Sequence, residues 1–468
     1  MWQCHLSSYP SNIEDYGMMG DNLYNLLTSV ERIMAYNNII TTIGKNKKKI
    51  LKGIIIAIYA MVIGPIAIFG VWIIYTDLRP APKYQYDEIL NLTHWTVVPA
   101  GNNPATQHNS NTDLIYYNGF FYLVHAQTKW HLKDINGALV VWRSPDAKEG
   151  NWEEITRVTV PDTDVRDPKF ANINGRLFLY FLPNWNFDPG PNTTFYTYSD
   201  NGFLDDYPRP KELDVNVTYN YKNGTIKHIV TGGWNLWRPK TNDNITWYVL
   251  ASGRKFGQQA TTEYEADVVN TITVLLKTTD GFNWTEVTEV YTEWGNGEAC
   301  LEFLPDQEMI STHRVGTMGK PGYALGNPDA CTMIGTSANN FSTWSFTQDR
   351  QTRLDGSTLF TLEGRVFAVG RNHPESRNGD HFFTKRTAFY EVTSDRLIHL
   401  FDLPSNGDTA YTGVVVKDGW IYACYYTNPI NKDLPWFVGL AFLPKSDIRM
   451  AKVSTSGLIA FADQIGGE

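Results

Sequence analysis

LIYYNGFFYLVHA, residues 114–126, reads as two short strands folded back on an Asn-Gly pair. Aromatic and β-branched residues fill both arms, and Asn-Gly favours the primed turn whose twist matches antiparallel strands. The same plan returns as KFANINGRLFLYF (169–181), LEFLPDQEMISTH (301–313), LFTLEGRVFAVGR (359–371) and VVVKDGWIYACYY (414–426). A looser copy surrounds Trp247–Arg254, after the turn-rich Thr241–Asn244. Each hairpin is followed by a further strand pair, as in ALVVWRSPDAKEGNWEEI (138–155). Four strands per unit, in about six units, predict an all-β, six-bladed β-propeller. Two stacked β-sandwiches are the alternative, and the regular hairpin spacing disfavours them.

A second repeat lies within the later strand pairs. Ser144-Pro-Asp146-Ala-Lys-Glu-Gly150-Asn-Trp152 and Thr279-Asp280-Gly281-Phe-Asn-Trp284 share a hydroxyl, a carboxylate, a glycine and a tryptophan. The first two groups satisfy turn backbone, glycine supplies the special dihedral, and tryptophan packs on the blade. Degenerate copies are Ser199-Asp200-Asn201-Gly202 and Ser337–Trp344. These read as structural turns, and their Asp and Trp residues are not assigned to chemistry.

Composition agrees with many short strands. Aromatic residues make up 14% and there are 37 glycines, while charged residues reach only 19%. The formal charge of −9 and the lack of a basic patch beyond one short run argue against nucleic acid as a partner. That run, Lys45, Lys47, Lys48, Lys49 and Lys52, precedes an uncharged stretch from Gly53 to Tyr75. The stretch is long enough to cross a hydrocarbon core of about 30 Å as a helix, with Pro65 a tolerated kink. A secretory signal peptide fits poorly, because the run is long, starts late and lacks a small-residue cleavage site. The flanking lysines predict a cytoplasmic tail over 1–52, a membrane helix over 53–75, a linker over 76–86 and an outer domain over 87–468. N-x-S/T triplets begin at Asn91, Asn192, Asn216, Asn223, Asn244, Asn283 and Asn340, all beyond the apolar stretch. That one-sided distribution agrees with an outside, glycosylated domain at the cell membrane. A helix is expected around Tyr24–Ile40 in the tail.

Four cysteines, one before and three after the apolar stretch, exclude a disulfide scaffold. Buried free thiols are expected, with a single Cys300–Cys331 bridge as the alternative. No Cys/His spacing marks a zinc site. Calcium has only acidic loops such as Asp162–Asp167 to bind, without a strong ligand pattern. No cofactor is expected.

The turns resemble the Asp-box, or BNR repeat, of sialidases (neuraminidases), and the unit count matches that family's six-bladed propeller. The resemblance covers roughly Asp87 to the C-terminus, and Asp-boxes identify the fold better than the function. It implies a glycan substrate and a site made from a nucleophilic tyrosine, a glutamate beside it, an acid/base aspartate and three arginines. In GDTAYTGVVVKDGWIYACYY, Tyr411 stands just before the strand, like the family's tyrosine. Glu298, in NGEACLEF, is placed like the glutamate. Arg314 and Arg371 resemble two of the carboxylate-binding arginines, with Arg377 a competitor for the second. Asp134 is placed like the acid/base aspartate. The family's first arginine is missing: the corresponding stretch reads TQHNSNTDLIYY, with His108 and Asn109 near the expected place. Arg166, in DVRDPKF, is the candidate to replace it.

A sialoside carries a carboxylate at its anomeric carbon, so a neutral tyrosine hydroxyl meets less repulsion there than an anionic nucleophile. A phenol with pKa about 10 needs a base, the role the resemblance gives Glu298. Asp134 would protonate the leaving oxygen and then activate water, for overall retention. The arginines would clamp the carboxylate. Two other readings stay open. Five-bladed furanosidase propellers resemble this chain at Arg166-Asp167-Pro168 and Gly297-Glu298-Ala299; there Asp113 would be base or nucleophile, Asp167 would orient the substrate and Glu298 would be the acid. Alternatively the propeller binds glycans without cleaving them.

Overall fold

The computed structural model describes residues 45–131, 134–182, 193–220, 226–253, 272–292, 296–316, 330–338, 340–374 and 382–466. The chain divides into two units, Met1–Ile74 and Tyr75–Glu468. In the first, a helix spans Lys45–Leu78 and carries its last residues into the second unit. Within it, Leu51–Leu78 is long and apolar enough to cross a membrane. Ile54, Ile56, Ile58, Ile66, Ile68 and Ile74 on it are exposed. The tail helix expected around Tyr24–Ile40 lies outside the described residues.

The second unit is a six-bladed all-β propeller, so the two-sandwich alternative falls. Blade 1 runs through His108–Tyr117, Phe120–Thr128, Ala138–Ser144 and Glu153–Val158. Blade 2 follows with Arg166–Ile173, Arg176–Leu182, Thr194–Ser199 and Lys211–Leu213. Blade 3 is built on Asn235–Leu236, Trp247–Gly253, Ile272–Thr278 and Trp284–Tyr291, and adds an outer hairpin, Val215–Asn220 with Ile226–Thr231. Blade 4 comprises Asn296–Phe303, Met309–Val315, Cys331–Ser337 and Ser345–Asp349. Blade 5 comprises Asp355–Leu362, Arg365–Asn372, Arg386–Val392 and Leu397–Leu403. Blade 6 takes Thr409–Lys417, Trp420–Thr427 and Asp447–Ser454 from the end of the chain. Its outermost strand is Thr93–Val98, paired antiparallel with Asp447–Ser454.

The quoted hairpins form because their turns are chemically specified. Asn118-Gly119, Asn174-Gly175, Glu363-Gly364 and Asp418-Gly419 each hold both central residues at positive φ, as a primed turn requires. Between blades, alternate residues interdigitate: Leu123, Val141 and Phe170 are among many that pack dry. Trp284, buried beneath blade 3, meets Tyr180 edge-on at 5.9 Å across the blade boundary.

The acidic turns hold themselves as expected from their residue types. Asp280 Oδ1 accepts from the amides of Phe282 and Asn283 at 2.8 Å each, and Oδ2 accepts from Asn283 Nδ2 at 2.7 Å. The hydroxyl of that turn is Thr278, not Thr279: its Oγ1 accepts from the Gly281 amide at 3.0 Å. Ser144 plays the same part for Ala147. Residues 76–86 are tied to the propeller, with Arg79 bonded to Asp433, Tyr84 to the Ser405 carbonyl and Tyr86 to the Asp402 carbonyl. Cys300 and Cys424 are free and buried, so the alternative Cys300–Cys331 bridge is not formed; Cys331 is buried too. Cys300 Sγ instead accepts from the Leu359 amide. Asn91, Asn216, Asn244, Asn283 and Asn340 are exposed, and Asn192 and Asn223 lie outside the described residues.

Candidate active site

Five of the six inner strands share one irregularity. Pairing with the second strand of the blade skips two residues at positions 111–112, 167–168, 297–298, 356–357 and 411–412. Asn111, Asp167, Gly356 and Tyr411 each take positive φ there, at +52°, +49°, +60° and +50°. A β-bulge of this kind turns a strand and re-aims its side chains. The repeated bulges bond laterally: Asn111 Nδ2 donates to Asp167, Thr358 Oγ1 to the Thr412 carbonyl at 2.6 Å, and the Gly356 amide to Glu298 Oε2 at 2.6 Å. Tyr411 therefore sits within its strand, in a bulge, rather than just before it.

Those bulges bring Glu298 and Tyr411 together. The Tyr411 hydroxyl donates to Glu298 Oε1, and Arg314 Nη1 donates both to Glu298 Oε1 and, at 3.2 Å, to the Tyr411 oxygen. Tyr411 lies edge-on to Trp237, 5.8 Å between ring centres, with the Arg371 guanidinium 5.2 Å from its own ring. Burial and then the neighbouring Glu298 charge hold the Tyr411 hydroxyl well above its ordinary pKa, so it stays a neutral phenol. Lys169, a buried group the sequence reading missed, and Asp167, named there only for the furanosidase scheme, stand beside this pair. The Lys169 ammonium sits 4.1 Å over the Trp237 ring, and burial lowers its pKa. Asp167 feels both Lys169 and Glu298; burial raises its pKa, with Lys169 opposing and Glu298 reinforcing the shift.

The arginines are less free than the resemblance implies. Asp355, fully buried, faces Arg314 Nε at 3.2 Å and His373 Nε2 at 3.2 Å, and Arg371 Nη1 at 3.5 Å. Arg353 grips the same carboxylate with two bonds of 2.7 Å. Burial opposes ionisation, yet Arg314, Arg353 and then His373 hold Asp355 well below the usual carboxylate range. Arg371 also donates to the Thr409 carbonyl at 2.8 Å and the Tyr426 hydroxyl at 3.1 Å, and its side chain is only 4% exposed. Arg377 lies outside the described residues.

The other sequence candidates are held elsewhere. Asp134 accepts from the amides of Lys129 and Asn136 at 2.8 and 3.0 Å, closing its own loop. Asp113 is buried, bonded to Arg238 and, at 2.7 Å, to the Phe170 amide, which leaves little of it for a base. Arg166 bonds to Asp164 Oδ2 at 2.8 Å and is buried in blade 2. His108 is buried where blade 1 meets blade 6, its Nδ1 2.8 Å from the Pro444 carbonyl. Within the acidic loop Asp162–Asp167, Asp164 thus serves Arg166 and Asp167 pairs with Asn111.

No family model matches the chain, and no curated protein does. Solved structures do match. A Dyadobacter fermentans protein of unknown function aligns at 13% identity and TM-score 0.51, over 78% of this chain and 99% of its own. Trypanosoma rangeli sialidase in complex with sialic acid aligns at 12% identity and TM-score 0.54, over 79% of this chain and 60% of its own. This chain therefore spans under two thirds of the sialidase. The α-L-arabinofuranosidase of Fusarium graminearum aligns at 12% identity and TM-score 0.51, over 78% of this chain and 98% of its own. At such identities the likeness is one of fold: the chain carries a six-bladed propeller similar to that of the sialidase.

Proposed function

We propose that the protein is a retaining glycoside hydrolase whose nucleophile is Tyr411. The observation that carries this reading is the Tyr411–Glu298 hydrogen bond, with Arg314 touching both oxygens. As the phenolic oxygen attacks the anomeric carbon, its proton passes to Glu298, and Arg314 steadies the charge that develops. The bond to the leaving oxygen breaks as that oxygen takes a proton from a carboxyl group. Asp167 suits that role better than Asp134, because burial keeps it protonated to higher pH while Asp134 is bound up in its loop. In the second half, water attacks the same carbon and gives its proton to Asp167. Tyr411 leaves and recovers its proton from Glu298, and two inversions make a retention.

The substrate class divides into two readings. Sialidase-type cleavage draws support from the Tyr411, Glu298, Arg314 and Arg371 placement and from turns of Asp-box type. Asp355 favours a neutral terminal sugar such as a furanoside, because it already neutralises the arginines that would clamp a substrate carboxylate. The apolar helix, the lysines before it and the exposed sequons after it support a type II anchor with the propeller outside, testable by protease protection in sealed vesicles.

The test is hydrolysis of chromogenic glycosides, a sialoside and furanosides among them, by the wild type, Tyr411→Phe and Glu298→Gln. Turnover with retention, reduced at least about 1,000-fold in each variant at unchanged melting temperature, is expected. Inversion, or full activity in Tyr411→Phe, overturns the mechanism. No turnover of any glycoside by folded protein favours a glycan-binding propeller.

A further inference from the structure

Behind Arg371 lies a cluster that the hydrolytic reading does not use. His108 opens blade 1, His131 follows the second strand of that blade, and Asp408 stands one residue before the inner strand of blade 6. Their donor atoms lie within 4.8 Å of one another. Asp408 is fully buried, and its two oxygens have different surroundings. Oδ1 accepts from the Tyr426 hydroxyl at 2.8 Å, from Trp436 Nε1 at 3.0 Å and from Arg371 Nη2 at 3.4 Å. Among the described residues Oδ2 has no well-aligned hydrogen bond, and it faces the two imidazoles.

The tautomer of His108 is set by its other nitrogen. Nδ1 is 2.8 Å from the Pro444 carbonyl, which can only accept, so Nδ1 carries the hydrogen. Nε2 then presents a lone pair, without a hydrogen bond, to Asp408 Oδ2 at 3.7 Å. His131 Nδ1 approaches the same oxygen at 2.6 Å, but outside hydrogen-bond alignment. Two acceptors, His108 Nε2 and Asp408 Oδ2, thus meet beside His131 Nδ1 in a largely buried place, an arrangement that costs free energy unless a proton on His131 or a metal cation lies among them. The surroundings are those of metal ligands: an imidazole oriented by an N–H bond to a backbone carbonyl, and a carboxylate fixed through its second oxygen.

We propose that His108, His131 and Asp408 bind one divalent transition-metal ion, zinc in the first instance, joining blade 1 to blade 6. Two imidazoles and a carboxylate are a donor set zinc favours. Tetrahedral zinc separates its donors by about 3.3 Å, between the two distances here. Calcium fits poorly, since it prefers oxygen ligands. His131, 17% exposed, supplies the route of entry. The ion would hold Asp408 and so steady Arg371, which spans from Asp408 to the Tyr411 ring. The assignment is independent of which sugar, if any, the propeller cleaves.

The experiment is direct binding of zinc and cobalt(II) to chelator-stripped full-length protein, followed by calorimetry and ligand-field absorption. One ion per chain is expected, with a rise in melting temperature on binding. His131→Gln should weaken binding at least about 100-fold while the stripped variant melts like the stripped wild type. His131→Cys should restore binding and add the thiolate-to-cobalt charge-transfer band, a signature no structural role imitates. Absence of stoichiometric binding, or unchanged affinity in His131→Gln, refutes the site and leaves Asp408 and His131 as an ion pair.

Discussion

Asp355→Asn removes one charge from the most crowded electrostatic point of the molecule and keeps the volume. Three arginines and His373 face that carboxylate from 2.7 to 3.5 Å. Each such pair has a gross attraction of about 4 kcal/mol at an effective dielectric of 20, and much of it offsets desolvation. Breaking a buried pair costs about 3–5 kcal/mol. Arg314 keeps Glu298 and Arg371 keeps Asp408, so the low end applies, about 3 kcal/mol. For a domain this large that lowers the melting temperature by about 6 °C at about 2 °C per kcal/mol. The sign with pH is fixed. The folded-state pKa of Asp355 is depressed, so its stabilisation is whole above the unfolded value of about 3.9 and is lost as pH falls toward the folded one. Calorimetry of wild type and variant should show a constant gap from pH 7 to about 4.5 that closes in more acid solution. Equal melting temperatures at pH 7, or a gap that widens in acid, would refute the assignment of Asp355 as the counter-ion of the arginine cluster.

Gly356→Ala should cost about 2–4 kcal/mol and most of the activity: φ is +60°, and a Cβ would stand 2.8 Å from Tyr411 Cδ2 and 2.9 Å from its Cα. Thermal melts and kcat on the same preparation check both. Asp280→Ala should lower stability by about 1–2 kcal/mol and leave kcat unchanged below the melting range, since it frees turn amides far from Tyr411. Asp167 as the general acid predicts an alkaline limb in kcat/KM, with activity falling as pH rises through a pKa above the ordinary carboxylate value. That limb should vanish in whatever activity Asp167→Asn retains.

The fold was legible because its signals are local. Asn-Gly, Asp-Gly and Glu-Gly pairs fix four of the hairpins within a dozen residues each, and the hairpin plan recurs. Glu298 and Tyr411 were named by resemblance alone, and nothing local in their sequence shows the hydrogen bond that joins them. The bulges that create the contact leave no common letters: Asn-Thr, Asp-Pro, Gly-Glu, Gly-Ser and Tyr-Thr occupy the same place. Asp355 and Asp408 were equally hard to see. Each is one aspartate at the start of an inner strand: Asp355 gathers Arg353, Arg371 and His373 around its own blade and Arg314 from blade 4, while Asp408 meets Arg371 of blade 5 and the histidines of blade 1 only because the ring closes. Asp134 illustrates the converse, since its position between strands looked catalytic while its oxygens are taken by amides of its own loop.

The strand Thr93–Val98 was described as the outer edge of the last blade. Its partner emerges at the opposite end of the domain: Arg449 bonds to Thr96 across 353 residues of chain. During synthesis the first strand must therefore wait, unpaired, while five blades are made. Such remote pairing is slow and exposes an edge meanwhile. The order of birth thus leaves an open ring that only the final strands can shut, and any truncation near the C-terminus strands both ends at once.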